Sequence, residues 1–211
     1  MKVLIASRNE HKIREIREIF ALPSVEWVSA ADIPGLPDVE EDGDTFEANA
    51  ILKAATLAKL TGMWALADDS GLEVTALGNA PGVHSARYAG EPCNHANNND
   101  KLLRELAGMT DRTARFRCVA ALSDPEGRAE TVSGSCPGRI IEARRGAAGF
   151  GYDPLFVPDG FDQTFAEMGD GAKNAISPRG RAMTLAQRRW GTLLASAPAR
   201  FPEGGTAPVQ A

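Results

Sequence analysis

The sequence predicts an α/β protein built on a mixed sheet, and three observations carry that prediction. Short apolar runs of strand length alternate with stretches of helical periodicity along the first third of the chain. Two longer runs, Thr113–Leu122 and Ala129–Cys136, are joined by the turn Asp124-Pro125-Glu126-Gly127, an antiparallel hairpin signal. Further helical pattern follows the hairpin, and no segment repeats another. The 211 residues suffice for one large domain or two small lobes. The hairpin is expected to form a second lobe, leaving a central cleft.

Lys2–Ala6 reads as a buried strand. The next segment places Ile13, Ile16, Ile19 and Phe20 on one helical face, with Pro23 as its stop. Val25–Val28 is a second strand. Residues 29–44 form a long loop carrying Asp32, Asp38, Glu40, Glu41, Asp42 and Asp44, and loops of that length are usually functional. Thr45 to about Thr61 is Ala- and Leu-rich and helical, closed by Gly62. Strand 64–67 is expected to end at Asp68-Asp69-Ser70-Gly71, with Leu72–Thr75 as a separate strand. An irregular segment, 78–91, leads to an amphipathic helix at about 98–108. A Gly-rich loop, 146–151, precedes the strand Leu155–Val157. Ser177 to about Ser196 is the last long helix. The pattern predicts a domain over 1–196 and a disordered tail over 197–211, where apolar content falls.

Composition narrows the function classes. Hydrophobic residues (43%) and charged residues (24%) match a globular protein, and a net charge of −5 argues against a nucleic-acid partner. Cys93, Cys118 and Cys136 lack metal-ligand spacing and read as free thiols, which fits a cytoplasmic protein. No run approaches the roughly 20 apolar residues of a membrane helix, and the start of the chain turns polar too early for a signal peptide.

Five elements could carry chemistry. Asp68-Asp69-Ser70-Gly71 sets two like charges side by side, an arrangement that a hard cation such as Mg²⁺ would offset. An acidic turn explains the same residues without function. Ser7-Arg8-Asn9-Glu10-His11-Lys12 joins a strand to a helix start, where amides and cations suit phosphate, although a capped helix is the plainer explanation. Thr45, Asn49 and Lys53 share one helical face. Glu40 and Glu41 precede that helix and would either favour its dipole or join a metal site. Gly149-Phe150-Gly151-Tyr152-Asp153-Pro154 offers a flat ring between glycines, and Lys173 is followed by Ser177-Pro178-Arg179 at a helix start.

Taken in order, these elements resemble the inosine/xanthosine triphosphate pyrophosphatase family. The resemblance rests on Ser7-x-Asn9-x-x-Lys12, Glu40-Glu41, Thr45-Phe46-x-x-Asn49-Ala50-x-x-Lys53-Ala54 and Ala67-Asp68-Asp69-Ser70-Gly71-Leu72. It continues through Pro81-Gly82-Val83-x-Ser85-Ala86-Arg87-Tyr88, Phe150-Gly151-Tyr152-Asp153-Pro154 and Lys173-x-x-x-Ser177-x-Arg179. It implies an elongated nucleoside-triphosphate pyrophosphatase-like fold, a homodimer and dependence on Mg²⁺. The implied reaction converts nonstandard purine nucleoside triphosphates (dITP/ITP, XTP/dXTP) to the monophosphate and pyrophosphate. By the same resemblance, Ser7, Arg8, Asn9, Glu10, His11, Lys12 and Lys53 hold the triphosphate. Glu40 or Glu41 holds metal together with Asp69, which also accepts the proton of water. Ser70 contacts substrate, while Phe150, Gly151, Tyr152, Asp153, Lys173, Pro178 and Arg179 occupy the base and sugar side, with Arg179 donating to a 6-oxo group.

Two positions depart from the family pattern. Pro178 stands where the family has His, and so lacks both a side-chain donor and a backbone N–H. Phe46-Glu47-Ala48-Asn49-Ala50 stands where the family has Phe-x-Glu-Asn-Ala, which moves the acid about 100° around a helix. These departures leave two rival readings: a pyrophosphatase for other modified nucleotides, and a nucleotide-binding module without catalysis.

Overall fold

The computed structural model describes residues 1–202 and 209–210, without the side chains of 170, 209 and 210. Its strands are β1 (Lys2–Ile5), β2 (Glu26–Ser29), β3 (Trp64–Val74), β4 (Thr113–Ser123), β5 (Ala129–Ile140), β6 (Phe156–Pro158) and β7 (Val209–Gln210). Its α-helices are α1 (Glu10–Ile19), α2 (Phe46–Thr61), α3 (His95–Glu105), α4 (Asp170–Ile176) and α5 (Pro178–Ala195). The hydrogen-bonded strand order is β2-β1-β3-β4-β5-β6, with β7 paired to β5. β1 runs parallel to both β2 and β3, whereas β5 and β6 are antiparallel. The sheet is therefore mixed, as the sequence predicts.

The chain divides into two compact units. Unit 1 comprises Met1–Asp69, Cys118–Gly134 and Arg179–Ala211, and unit 2 comprises Ser70–Arg117 and Ser135–Pro178. The hairpin does not form a lobe of its own, because both of its strands are divided between the units. Unit 2 is instead built largely from the segments before and after it.

In unit 1, period-two alternation along β3 puts Trp64 and Leu66 on one face with Val3, Ile5, Cys118, Ala120 and Leu122. Ile13 and Ile16 of α1, with Met183, Ala186 and Trp190 of α5, close over that face. α2 begins where the sequence predicts: Thr45 Oγ1 accepts from the Ala48 N–H at 3.1 Å, and Gly62 stops the helix at φ 66°. Unit 2 has its own core, including Leu72, Val74, Leu102, Ile140, Leu155 and Phe156. Phe156 packs edge-on to Phe116 and tilted against Phe165, with ring centroids 4.7 and 5.0 Å away. Gly138 is required in β5, since a Cβ there would lie 2.3 Å from the Val157 carbonyl oxygen.

Three further expectations change. β3 does not stop at residue 67 but runs unbroken through Asp68-Asp69-Ser70-Gly71 to Val74. Turn-forming composition is overridden there because both carboxylates find partners on the faces of the sheet. α3 starts at His95, earlier than the apolar periodicity suggests, because its first turns carry Asn97, Asn98 and Asn99. The chain after Ser196 does not leave the fold at once. Trp64 Nε1 donates to the Pro198 carbonyl at 2.8 Å, and Phe201 packs edge-on to Trp64 with centroids 4.7 Å apart. The Phe201 N–H also donates to Asp124 Oδ2 at 3.1 Å, while Oδ1 of the same carboxylate accepts from the hairpin-turn amides of Glu126 and Arg128. Residues 203–208 and 211 of the expected disordered tail lie outside the described residues.

Phe201→Ala is therefore expected to cost about 3 kcal/mol in urea denaturation, the usual loss for a buried phenylalanine. A change below about 1 kcal/mol would show that this segment adds nothing to the core.

Candidate active site

Because side chains alternate along a strand, the consecutive carboxylates Asp68 and Asp69 face opposite sides of β3. Each accordingly meets a different environment. Asp68 continues the face of Trp64 and Leu66, toward α1 and α5, where Oδ2 pairs with Lys12 Nζ at 3.1 Å and Arg179 Nε at 3.3 Å. Cys118 Sγ lies 3.9 Å from the same oxygen. Arg179 also pairs through Nη1 with Glu15 of α1. Burial opposes the Asp68 charge, but Lys12, Arg179 and Lys53 outweigh it and hold this carboxyl well below the usual carboxylate range. Burial, and then the Asp68 charge, push the Cys118 thiol up, so it stays protonated.

Asp69 faces α2. Asn49 Nδ2 donates to Asp69 Oδ2 at 3.0 Å, and Asn49 Oδ1 accepts from the Gly43 N–H at 2.8 Å. One helical turn further on, Lys53 Nζ donates to the Asp68 carbonyl at 3.2 Å and pairs with Glu41 at 2.8 Å. The predicted stripe Thr45-Asn49-Lys53 thus caps α2 with its first residue and reaches the two-carboxylate strand with the others. Burial, followed by the Glu41 charge, raises Asp69 to about 6, against the lowering effects of Asn49, Lys12 and Lys53. Lys53 is raised as well, since Glu41 and then Asp68 outweigh its burial.

This geometry separates Glu41 from Glu40. Glu41 is half-buried, held by Lys53, and close enough for its charge to raise Asp69. Glu40 is exposed. Glu41 and Asp69 are oxygen donors whose mutual repulsion and burial a hard divalent cation would relieve, and no third His, Cys, Asp or Glu joins them in a metal-binding group among the described residues.

The Ser7–Lys12 segment is a cap in its first half and part of the carboxylate cluster at its end. Asn9 Oδ1 accepts from the amides of His11 and Lys12 at 3.0 and 3.3 Å, and Ser7 Oγ accepts from the Asn9 N–H at 3.2 Å. Glu10 and His11 are exposed. Arg8 reaches the acidic loop, pairing with Asp38 and donating to the Leu36 carbonyl.

Unit 2 gathers the other predicted residues. Lys173 Nζ, on α4, pairs with Asp153 at 2.7 Å and lies 4.8 Å from the Phe150 ring centroid. Asp153 Oδ2 also accepts from the Phe150 N–H at 2.8 Å. Tyr152 is buried and donates to the Ser85 carbonyl at 2.9 Å, and Ser70 is half-buried at the start of the unit. Pro178 is buried at the first position of α5, where its missing N–H costs nothing. Arg179 pairs with Asp68 and Glu15, and Lys173 is a buried cation next to Phe150.

The sequence signals miss two residues here. Glu15 reads as a solvated helix acid but anchors Arg179. Asn99 reads as a surface polar residue but is buried, and its Nδ2 donates to the Gly151 carbonyl at 2.9 Å. Only an excess of asparagine inside an amphipathic helix hints at the second.

The two carboxylates should respond oppositely to neutralisation. Asp69, raised above its unfolded value, penalises the fold at neutral pH, and that penalty fades as pH falls through about 6. Without metal, Asp69→Asn is expected to stabilise the protein by up to about 3 kcal/mol at pH 7.5, with most of the gain gone at pH 4. Asp68 is lowered, so its contribution is present above its unfolded value and lost only in strong acid. Asp68→Ala should cost about 3–5 kcal/mol at pH 7.5, since it removes the carboxylate shared by buried Arg179 and Lys12. Urea titrations in EDTA at both pH values measure these effects, and equal signs for the two variants would contradict the assignment.

The chain is 51% identical over 188 residues to a dITP/XTP pyrophosphatase of Desulforamulus reducens, covering 88% of this chain and 94% of that one. Among solved structures, the Ham1 protein of Staphylococcus aureus superposes with a TM-score of 0.84 at 40% identity, covering 92% of this chain and all of that one. A HAM1 protein from Coxiella burnetii gives the same TM-score and identity over 93% and 99% of the two chains. The sequence pattern of the Ham1 family matches residues 3–188, and the chain belongs to the Ham1 family.

Proposed function

We propose that this chain hydrolyses nonstandard purine nucleoside triphosphates, dITP/ITP and XTP/dXTP, to the monophosphate and pyrophosphate, with Mg²⁺ as cofactor. The observation that carries the reading is the buried carboxylate of Asp69, held by Asn49 beside a strand neighbour that pairs with Lys12, with Lys53 paired to Glu41. When bound at Glu41 and Asp69, Mg²⁺ would supply charge neutralisation for the phosphates. Lys12 and Lys53, held in place by Asp68 and Glu41, take further phosphate charge, and the Asn9-capped start of α1 adds a helix N-terminus. Asp69 would take the proton of the water that opens the bridge between the α and β phosphates.

Base choice falls to Phe150, Asp153 and Lys173. The ring offers a stacking face, and the lysine can only donate. A donor suits the 6-oxo group of hypoxanthine or xanthine and mismatches the 6-amino group of adenine. The reading extends to a homodimer working in the cytoplasm without a nucleic-acid or membrane partner. The free Cys93, Cys118 and Cys136 support a reducing compartment and the net charge of −5 weighs against a nucleic-acid partner, while the homodimer rests on the family resemblance.

Pyrophosphate release from dITP, ITP, XTP, dGTP, GTP, ATP and dUTP, with Mg²⁺ or EDTA, tests this directly. Fast release is expected from the inosine and xanthosine nucleotides alone, only with Mg²⁺, and at least about 100-fold slower in Asp69→Asn. Intact triphosphates throughout would overturn the catalytic reading, and preference for another base would overturn the substrate assignment.

A further inference from the structure

Asn49 is nearly inaccessible, with 1% of its surface exposed, and its amide is used at both ends. The nitrogen donates to Asp69 on β3, and the oxygen accepts from Gly43 in the acidic loop, two residues after Glu41. Turning the amide over would set an oxygen against the carboxylate and an NH₂ against the Gly43 N–H, so its orientation is fixed by both neighbours. The residue itself stands at the end of the first turn of a capped helix.

The loop's approach is equally constrained. A Cβ on Gly43 would lie 2.7 Å from Asn49 Oδ1 and 2.9 Å from the Ala48 Cβ. The backbone passes this close only because position 43 has no side chain. Between Asp32 and Phe46 the chain has no regular element to fix where Glu41 sits.

We infer that Asn49 is a positioning residue: its single amide sets Asp69 and the loop bearing Glu41 in one register, so that the two carboxylates act as one cation-binding pair. The inference rests on the pyrophosphatase reading above and adds to it the residue that aligns the pair. Asn49 touches no substrate in this account and exchanges no proton. It works through Asp69 and Gly43, as partners behind metal ligands do.

The test uses Asn49→Ala and, independently, Gly43→Ala, which keeps the amide but pushes the loop away from it. Three quantities are measured: Mn²⁺ binding to the nucleotide-free protein, kcat and KM for dITP with Mg²⁺, and the circular dichroism spectrum in EDTA. Both variants are expected to bind Mn²⁺ about tenfold to a hundredfold more weakly. Their kcat should fall by a similar factor while KM for dITP stays within about threefold, with unchanged spectra. Wild-type Mn²⁺ affinity and kcat in both folded variants would overturn the inference and leave the pyrophosphatase reading standing. If the wild type cleaves no triphosphate but Asn49→Ala still weakens Mn²⁺ binding, the positioning role stands and the reading of the reaction falls.

Discussion

The structure depends on the two-residue period of β3 at Asp68 and Asp69. Adjacent carboxylates in a turn would share one solvent-facing patch and repel each other. In a strand they are sent to opposite faces, and each face recruits its own helices. Asp68 becomes the meeting point of α1 and α5 through Lys12 and Arg179. Asp69 meets α2 through Asn49. A one-residue slip would exchange the two environments and undo both, so the register of β3 is fixed by these polar partners as well as by packing.

The two environments differ in energetic sign. Asp68 has three cations against its burial and is stabilised as an anion. Asp69 has burial and a second carboxylate against it, with one amide and two more remote lysines in its favour. Folding thus carries a costly charge at one position and secures it with a favourable one next door. Such local conflict is typical of sites kept for function.

Much of this was legible in the sequence wherever local signals and tertiary structure agree. Thr45 and Gly62 mark both ends of α2, and four-residue spacing puts Asn49 and Lys53 on the face that reaches β3. Asp68, Asp69 and the Ser7–Lys12 segment stand out by composition. What was hidden depends on partners distant in sequence. Asp-Asp-Ser-Gly looks like a turn because composition cannot reveal that Lys12, Asn49 and Arg179 will satisfy it inside a strand. Pro198–Phe201 looks like the start of a tail, because one phenylalanine among prolines gives no period, yet Trp64 and Asp124 hold it. That Glu41 and not Glu40 is ion-paired depends on the Lys53 ammonium of α2, a partner that composition does not reveal.

The departure at Pro178 can now be placed physically. A proline at the first helical position fixes the start of α5 without losing a hydrogen bond, so Arg179 falls in the first turn. A cation there is disfavoured by the helix dipole by about 0.3–1 kcal/mol. The paired carboxylates of Asp68 and Glu15 outweigh that, since removing a partner from a buried pair costs about 3–5 kcal/mol. Arg179 is therefore held by its ion pairs and does not depend on the side chain at 178. Exchanging the family's histidine for proline removes a donor without disturbing the Lys12–Asp68–Arg179 cluster.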